Sequence, residues 1–336
     1  MVSQYTTSAG TSSDHHGSQH KRASSDIHPM MIEKHFNDDD EYYDWRASHP
    51  SSPIIGSGLD ADADAYSTIK TVCDGVKCDT NNRLAHGRHS LIFPCLHTDD
   101  QCAPWVVKVA KGDPESIMVV REEIAFLLKH EEDSPVIMKC LGHGNVNLRG
   151  ITRPAYAMPR ALCTLADLIF SNYDRVTITK EQLIVKSWQA LFELHSLGIC
   201  HGDVKPQNMF LYDASTIDSP TIDYNVVFGD FAGNSVGTLP YQPPETFKSG
   251  DLTMARDVYS MGVTTWCVLE GREPFEENKK STPLHLAIKE YGFDRCHDSR
   301  HRFWDVLKDA VGKDPEKRPT SEFILASLLQ LSFSSK

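Results

Sequence analysis

The most informative segment of this sequence is Cys200-His-Gly-Asp-Val-Lys-Pro-Gln-Asn208, which runs into the apolar Met209-Phe210-Leu211. An acid, a lysine two positions later and an asparagine five positions later can surround one phosphoryl group during its transfer. Asp203 can orient an attacking hydroxyl and accept its proton, and Lys205 can neutralise charge that develops on the γ-phosphate. Asn208 can offer a neutral oxygen to Mg²⁺. Taken alone, the segment could also be a polar loop between a helix and a strand.

Three neighbouring segments carry further candidates. Val226-Val-Phe-Gly-Asp-Phe-Ala232 reads as a strand that ends in an acid-aromatic pair, and its acid is Asp230. Trp105-Val-Val-Lys-Val109 is a short β-branched run that includes Lys108. The segment Glu115 to Lys129 is predicted to be helical because its apolar residues fall on one stripe. The residues of that stripe are Ile117, Val120, Ile124, Leu127 and Leu128.

These segments resemble, in order, signature motifs of the eukaryotic protein kinases. Residues 200–208 resemble the catalytic loop H-R-D-x-K-x-x-N, residues 230–232 the D-F-G segment, and residues 106–108 the V-A-x-K strand. Three later segments resemble G-T-x-x-Y-x-x-P-E, D-V-x-S-x-G-V and D-P-x-x-R-P; they are residues 237–245, 257–263 and 314–319. In that family the last arginine pairs with the glutamate of P-E, which here would be Arg318 with Glu245. The resemblance covers about Arg83 to Leu331.

The resemblance implies an α+β fold of two lobes, with a small, mostly β N-lobe and a larger, mostly α C-lobe. It also implies a protein kinase that uses ATP and Mg²⁺. The Lys205-Pro206 pair and Thr238 are similar to the serine/threonine group, so the expected substrates are serine and threonine hydroxyls of a protein. On this basis Asp203 and Lys205 are the expected catalytic residues, and Asn208 and Asp230 the expected metal ligands.

The resemblance further implies a nucleotide site between the lobes. Lys108 would contact the α- and β-phosphates and pair with a glutamate of the next helix. Glu123 is our choice and Glu122 is the alternative, because adjacent helix positions point about 100° apart and only one can face Lys108. Met158 stands at the gatekeeper position, followed by the hinge. The expected nucleotide-contacting residues are Gly87, Ile92, Val106, Lys108, Glu123, Met158, Ala161 and Phe210.

The glycine loop and the adenine slot depart from the family pattern. The segment Leu84 to Ile92 stands where the family has G-x-G-x-x-G-x-V. It keeps only the middle glycine, Gly87, and has Ala85 and Ser90 at the first and third glycine positions. Val106 replaces an alanine and Phe210 a leucine, which narrows the adenine slot. Ala232 replaces the D-F-G glycine and should limit flipping of the Asp230 segment.

A further departure concerns regulation. Gly202 stands where many kinases carry an arginine that pairs with a phosphorylated loop residue. Ser235 and Thr238 are the only hydroxyls between Asp230 and Tyr241. We therefore expect an activity that does not depend on phosphorylation of this loop.

Two other functions remain open from the sequence. The departures would suit a pseudokinase, a binding module that keeps the fold without transfer. His201-Gly-Asp203 is also the form of aminoglycoside-phosphotransferase-like enzymes, which act on small molecules. That family lacks the Pro-Pro-Glu245 segment and its Arg318 partner.

Composition sets the remaining expectations. The chain has 336 residues and a net charge of −12, which argues against nucleic acid or an anionic membrane as partner. Residues 1–67 are polar and read as a disordered acidic, serine-rich tail, and 68–336 as the kinase-like domain. Nine scattered cysteines suggest reduced thiols. With no signal peptide or apolar span, we expect a cytoplasmic or nuclear protein, monomeric, whose partners are ATP and a protein substrate.

Helices are predicted for much of the C-terminal half. Thr179-Lys-Glu-Gln182 has the spacing of a capping box, and a helix should follow to Leu197. Leu183, Trp188, Leu191 and Phe192 are its predicted inward residues. Further helices are predicted over Asp257 to Glu270, Pro283 to Tyr291, Arg302 to Val311 and Thr320 to Leu331.

Overall fold

The structure is a computed structural model, and it describes part of the chain. The described residues are 66–68, 77–96, 104–130, 132, 134–171, 173–214, 223–231, 237–248, 251–275, 283–293 and 299–333. Nearly all of the predicted tail, together with Ala232 and Ser235, lies outside these residues. The predicted boundary at about residue 67 therefore stays a prediction.

The N-terminal part of the fold is a twisted antiparallel sheet with one helix. Its strands follow the order β1-β2-β4-β5-β7-β6, and β3 pairs with β4 outside that path. The strands are β1 (Tyr66–Thr68), β2 (Lys77–Asp79), β3 (Ala85–His86), β4 (Ser90–Leu96), β5 (Trp105–Ala110), β6 (Gly142–Leu148) and β7 (Ile151–Pro159). The predicted strand around Lys108 is confirmed as β5, which is central and almost wholly buried.

Helix α1 (Pro114–Lys129) begins after a capping side chain, that of Asp113. Asp113 accepts a hydrogen bond from the Ser116 N–H at 2.8 Å, and a proline follows at the first helical position. Val120, Ile124 and Leu127 are buried as predicted. The prediction was wrong for Leu128, which is 41% exposed because it lies about 100° around the helix from Leu127.

The C-terminal part is mainly helical and carries a small sheet, β10-β9-β8. Its helices are α2 (Leu165–Phe170), α3 (Lys180–Ser196), α4 (Met254–Glu270), α5 (Leu284–Tyr291), α6 (Trp304–Leu307) and α7 (Ser321–Phe333). Its strands are β8 (Cys163–Thr164), β9 (Met209–Asp213) and β10 (Tyr224–Phe228). The two parts together form the expected α+β fold of a small β lobe and a larger α lobe. Within the described ranges, no helix combines the length and apolarity that crossing a bilayer requires.

The capping box of α3 is confirmed. Thr179 Oγ1 accepts from the Gln182 N–H at 3.2 Å, and Gln182 Oε1 accepts from the Thr179 N–H at 3.0 Å. Leu183, Trp188 and Leu191 are buried, whereas Phe192 is only half-buried. The Trp188 indole donates to Thr265 on α4 at 3.0 Å. These contacts fix α3, and the loop that follows it, against the buried helix α4.

The single helix predicted over Arg302 to Val311 was wrong. The chain forms α6 and then a 3₁₀ turn at Lys308–Val311. Tight packing against α4 gives the reason: a Cβ on Gly262 would lie 2.8 Å from Val311 Cγ1 and 3.1 Å from Ala310 Cβ. The tighter turn brings both residues into that close contact.

Candidate active site

Lys108 links three separate elements at the cleft between the lobes. Its Nζ lies 2.9 Å and 2.7 Å from the two carboxylate oxygens of Glu123 on α1, and 2.8 Å from Asp230 Oδ1 beyond β10. Glu123 is fully buried, whereas Glu122 is exposed. The structure therefore places Glu123, the residue chosen from the sequence, at Lys108.

The charges of this cluster support one another. Burial disfavours the charged form of Lys108, but Asp230 and Glu123 hold its pKa well above the ordinary value. Burial raises the pKa of Glu123, an effect that Lys108 opposes. Lys108 lowers the pKa of Asp230 to about 2, so this carboxylate is ionised at neutral pH.

Sequence reasoning missed Tyr156 as a member of this cluster. Tyr156 pairs with Lys108 across β5 and β7, and its buried ring centroid lies 6.0 Å from Lys108 Nζ. Burial raises the pKa of its hydroxyl, which also hydrogen-bonds Glu123. A signal was available: Tyr156 lies two residues before Met158 and so points to the same face of the strand.

Asp230 is held in an uncommon backbone conformation. Its φ is 64°, in the left-handed region. The next residue, Phe231, is buried between Phe126 of α1, at 4.5 Å between ring centroids, and His201, at 4.6 Å. His201 Nε2 in turn lies 3.0 Å from the Gly229 carbonyl. These ring contacts fix the direction in which the Asp230 carboxylate points.

The catalytic-loop residues converge on Asp203. Its Oδ1 accepts from the Thr238 N–H at 2.7 Å, and its Oδ2 from Lys205 Nζ at 2.6 Å and Asn208 Nδ2 at 3.1 Å. Lys205 also donates to Thr238 Oγ1 at 2.6 Å. Residues more than thirty positions apart therefore meet at one carboxylate, as the resemblance implied.

Asp257, which lies on α4, stabilises the backbone of this loop. It accepts from the backbone N–H groups of His201 at 2.7 Å and Gly202 at 2.8 Å, and its Oδ2 lies 3.3 Å from His195 Nε2. Asp257 is 1% exposed. An aspartate near the start of a helix predicted to be buried was the sequence signal for this role, because a buried carboxylate requires partners.

Asn208 and Asp230 suit a hard cation. They are brought side by side because the Gly229 N–H donates to the Asn208 carbonyl at 3.1 Å. Asn208 uses Nδ2 toward Asp203, which leaves its Oδ1 for a metal. Asp230 binds Lys108 through Oδ1 and its side chain is 42% exposed. Ionised carboxylate and amide oxygens are ligands that Mg²⁺ accepts, so these residues fit the expected ion.

The predicted nucleotide-contacting residues lie around the same cleft. Strand pairing sets Val106 opposite Met158 and Lys108 opposite Ile92. Phe210 pairs with Val227, and its ring approaches Gly229: a Cβ there would lie 2.9 Å from Phe210 Cε2. Gly87 lies in the β3–β4 turn, where its N–H donates to the Ser90 carbonyl at 2.8 Å, and Ala161 follows β7. Their contacts with a nucleotide remain predictions.

The expected ion pair in the C-lobe is present. Arg318 binds both carboxylate oxygens of Glu245, at 2.5 Å and 2.7 Å. Its guanidinium also donates to the Gly312 and Ala255 carbonyls and lies 4.9 Å from the Tyr259 ring centroid. The segment after Thr238 is thereby tied to the body of the lobe.

Comparison with known proteins agrees with this geometry. The family described as the protein kinase domain matches residues 79–330. The chain is 28% identical over 264 residues to serine/threonine-protein kinase 17A of Oryctolagus cuniculus, covering 71% of this chain and 62% of the relative. It is 25% identical over 268 residues to serine/threonine-protein kinase PkaA of Streptomyces coelicolor, covering 73% and 48%.

A shorter match has higher identity. It is 34% identical over 132 residues to calcium/calmodulin-dependent protein kinase kinase cmkC of Emericella nidulans, covering 37% of this chain and 25% of the relative. The chain thus spans only part of each relative, from 25% to 62% of its length. The family match covers well over half of the chain and includes every site residue above: the chain belongs to the protein kinase family.

Proposed function

We propose that this protein transfers the γ-phosphoryl group of ATP, with Mg²⁺, to serine or threonine hydroxyls of a protein substrate. The observation that supports it most is the arrangement at Asp203. One carboxylate oxygen is held by the Thr238 N–H and the other by Lys205, so the carboxylate is fixed before a substrate arrives. Such preorganisation is what phosphoryl transfer mainly requires of a protein.

Each residue has a role that follows from its contacts. Asp203 would orient the acceptor hydroxyl and take its proton, and Lys205 would stabilise the negative charge on the transferred group. Lys108, oriented by Glu123, would position the α- and β-phosphates. Asp230 and Asn208 would hold Mg²⁺, which neutralises charge on the phosphate oxygens.

The preference for serine and threonine rests on Lys205 and Thr238. The ammonium of Lys205 joins the Asp203 carboxylate to the Thr238 hydroxyl at 2.6 Å each. This residue pair is the form that resembles serine/threonine kinases. Two of the relatives above bear that designation in their names.

We further propose that transfer does not require phosphorylation of the loop after Asp230. Gly202 offers no cation for a phosphate, and the Leu252 side chain fills the space above it, 2.7 Å from where a Cβ would stand. Thr238 is already hydrogen-bonded to the site. Ser235→Glu should change the transfer rate less than about twofold, whereas a strong rise would contradict this proposal.

The first experiment is transfer of labelled γ-phosphate to a mixture of generic protein substrates, with and without Mg²⁺. Asp203→Asn is the control, because it keeps the side-chain volume but removes the base. Signal that depends on Mg²⁺ and disappears in Asp203→Asn would support the proposal.

No transfer from either protein, with no shift of the melting temperature by ATP, would instead favour a binding module. Labelling of an aminoglycoside or sugar but of no protein would favour a small-molecule phosphotransferase.

A further inference from the structure

A basic pocket lies in the C-lobe beside the Glu245–Arg318 ion pair. It has a volume of about 380 Å³ and is lined by Pro244, Glu245, Lys248, Lys289, Lys313 and Pro315. The three lysines come from the end of the turn at Pro244–Phe247, from α5, and from the loop before the turn at Pro315–Lys317. They converge through packing and not through a run of basic sequence.

The positive charge of this pocket is largely uncompensated. Among the described residues, the side chains of Lys248 and Lys289 form no ion pair or hydrogen bond, and both residues are exposed. Lys313 donates to the Glu290 carbonyl, which places its ammonium at the pocket without neutralising it. The Glu245 carboxylate is neutralised by Arg318, whose side chain is fully buried.

The other acidic groups nearby have limited effect. Asp314 is paired with Lys317 at 3.1 Å. Glu290 and Glu316 are exposed to water, where charge interactions are strongly screened. The three lysines are exposed as well, so their mutual repulsion is screened in the same way, but together they give this side of the pocket a positive potential. An anionic ligand would be attracted to that potential.

We propose that this pocket binds an acidic segment of a protein partner, through aspartate or glutamate side chains that reach Lys248, Lys289 and Lys313. The net charge of −12 over the whole chain makes this local positive surface an exception. Such a contrast favours selective docking over general attraction of anions.

The chemistry of the pocket favours peptide carboxylates over phosphate. The Arg318 fork, which could bind either a carboxylate or a phosphate, is occupied by Glu245 and backbone carbonyls, so only the lysines are left for a ligand. Lysines spread over three segments suit charges distributed along a peptide. Pro244 and Pro315 give the pocket an apolar lining, and Leu286, one turn before Lys289 on α5, is 44% exposed. These apolar groups can contact the aliphatic parts of a peptide.

The test is binding of a fluorescein-labelled deca-glutamate peptide to the full chain, followed by fluorescence anisotropy without nucleotide. One variant combines Lys248→Glu, Lys289→Glu and Lys313→Glu. The matched control combines Lys77→Glu, Lys129→Glu and Lys139→Glu, which are exposed lysines elsewhere and give the same change of net charge. Melting temperatures would establish that both variants are folded.

We expect the pocket variant to bind the peptide at least about tenfold more weakly than the wild type, and the control less than about threefold more weakly. Affinity should fall as salt rises from 50 to 200 mM. Equal loss in both variants, or no binding by the wild type at low salt, would overturn the proposal. Stronger binding of a mono-phosphoserine peptide than of deca-glutamate would also overturn it, in favour of a phosphate site. None of these measurements requires phosphoryl transfer, so their outcome is independent of the proposed activity.

Discussion

Leu252 lies directly over Gly202: a Cβ atom on Gly202 would stand 2.7 Å from Leu252 Cδ2. Gly202 also has a φ of 82°, which side-chain-bearing residues adopt at a cost. Two independent constraints therefore favour glycine between His201 and Asp203. An arginine at this position would need both a strained backbone and a displaced Leu252.

Gly202→Ala should therefore destabilise the protein more than Gly198→Ala. Gly198 has a similar φ of 75°, but its added Cβ would meet nothing within 4 Å, so it reports backbone strain alone. We expect about 1–2 kcal/mol from the strain and an additional loss at Gly202 from the contact. Urea unfolding would measure both values. Equal losses, or a difference that persists in a Leu252→Ala background, would contradict this account of the contact.

Lys108→Met should reduce stability as well as transfer. It leaves the buried Glu123 and the nearby Asp230 without their shared cation, and breaking a buried ion pair commonly costs about 3–5 kcal/mol. Unfolding in guanidinium chloride would measure the loss. Adding Glu123→Gln to Lys108→Met should recover part of it, since the buried charge is then absent. A double variant less stable than Lys108→Met would argue against this explanation.

Phe210 and Gly229 should be energetically coupled. A Cβ at Gly229 would lie 2.9 Å from Phe210 Cε2, so Gly229→Ala should push the ring and weaken ATP binding. With Phe210→Leu, the same change should have little effect, because the smaller side chain leaves room. Isothermal titration of the four proteins with an ATP analogue gives the coupling directly. Additive effects would show that the ring does not transmit the change.

Arg318→Lys should destabilise the protein almost as much as Arg318→Ala does. Lysine cannot reproduce the two bonds to Glu245 or the donation to the Gly312 and Ala255 carbonyls. We expect most of the roughly 3–5 kcal/mol loss typical of a broken buried pair. Thermal unfolding of Arg318→Lys and Arg318→Ala would check this. A lysine variant close to wild type would show that charge alone suffices.

Asp230 should continue to stabilise the folded protein at acidic pH. Its pKa is lowered to about 2, mainly by Lys108, so its contribution is present above its ordinary pKa near 3.8 and is lost as pH falls through about 2. The stability difference between wild type and Asp230→Asn should therefore be constant above about pH 5 and shrink below pH 4. A difference that instead changes between pH 5 and 7 would assign that titration to another group.

Much of the site was predictable because kinase chemistry depends on short segments with fixed spacing. Helix geometry established that only one of Glu122 and Glu123 could face Lys108, and the Thr179 capping box followed from local backbone chemistry. The resemblance supplied the Glu245–Arg318 pair. Each depends on residue types that act at short range or match a motif.

The contacts that were missed depend on packing between distant segments. Tyr156 reaches Glu123 only because β7 lies beside β5, and Leu252 reaches Gly202 only because its loop folds back over the catalytic loop. The break between α6 and the turn at Lys308–Val311 likewise follows from the closeness of Gly262. The pattern of apolar residues within one segment carries no information about distances between segments.

The position of Lys108 between two carboxylates has a consequence for genetics. A Lys108→Met allele would lower the amount of folded protein in a cell as well as the rate of phosphoryl transfer, so its phenotype would combine two defects. An Asp203→Asn allele keeps a side chain of equal size that can still accept from the Thr238 N–H. It loses the bonds that Oδ2 accepts from Asn208 and from the more exposed Lys205, so it should lower abundance less than Lys108→Met does. A trait lost with Lys108→Met but kept with Asp203→Asn would thus report the physical presence of the protein, and not its catalysis.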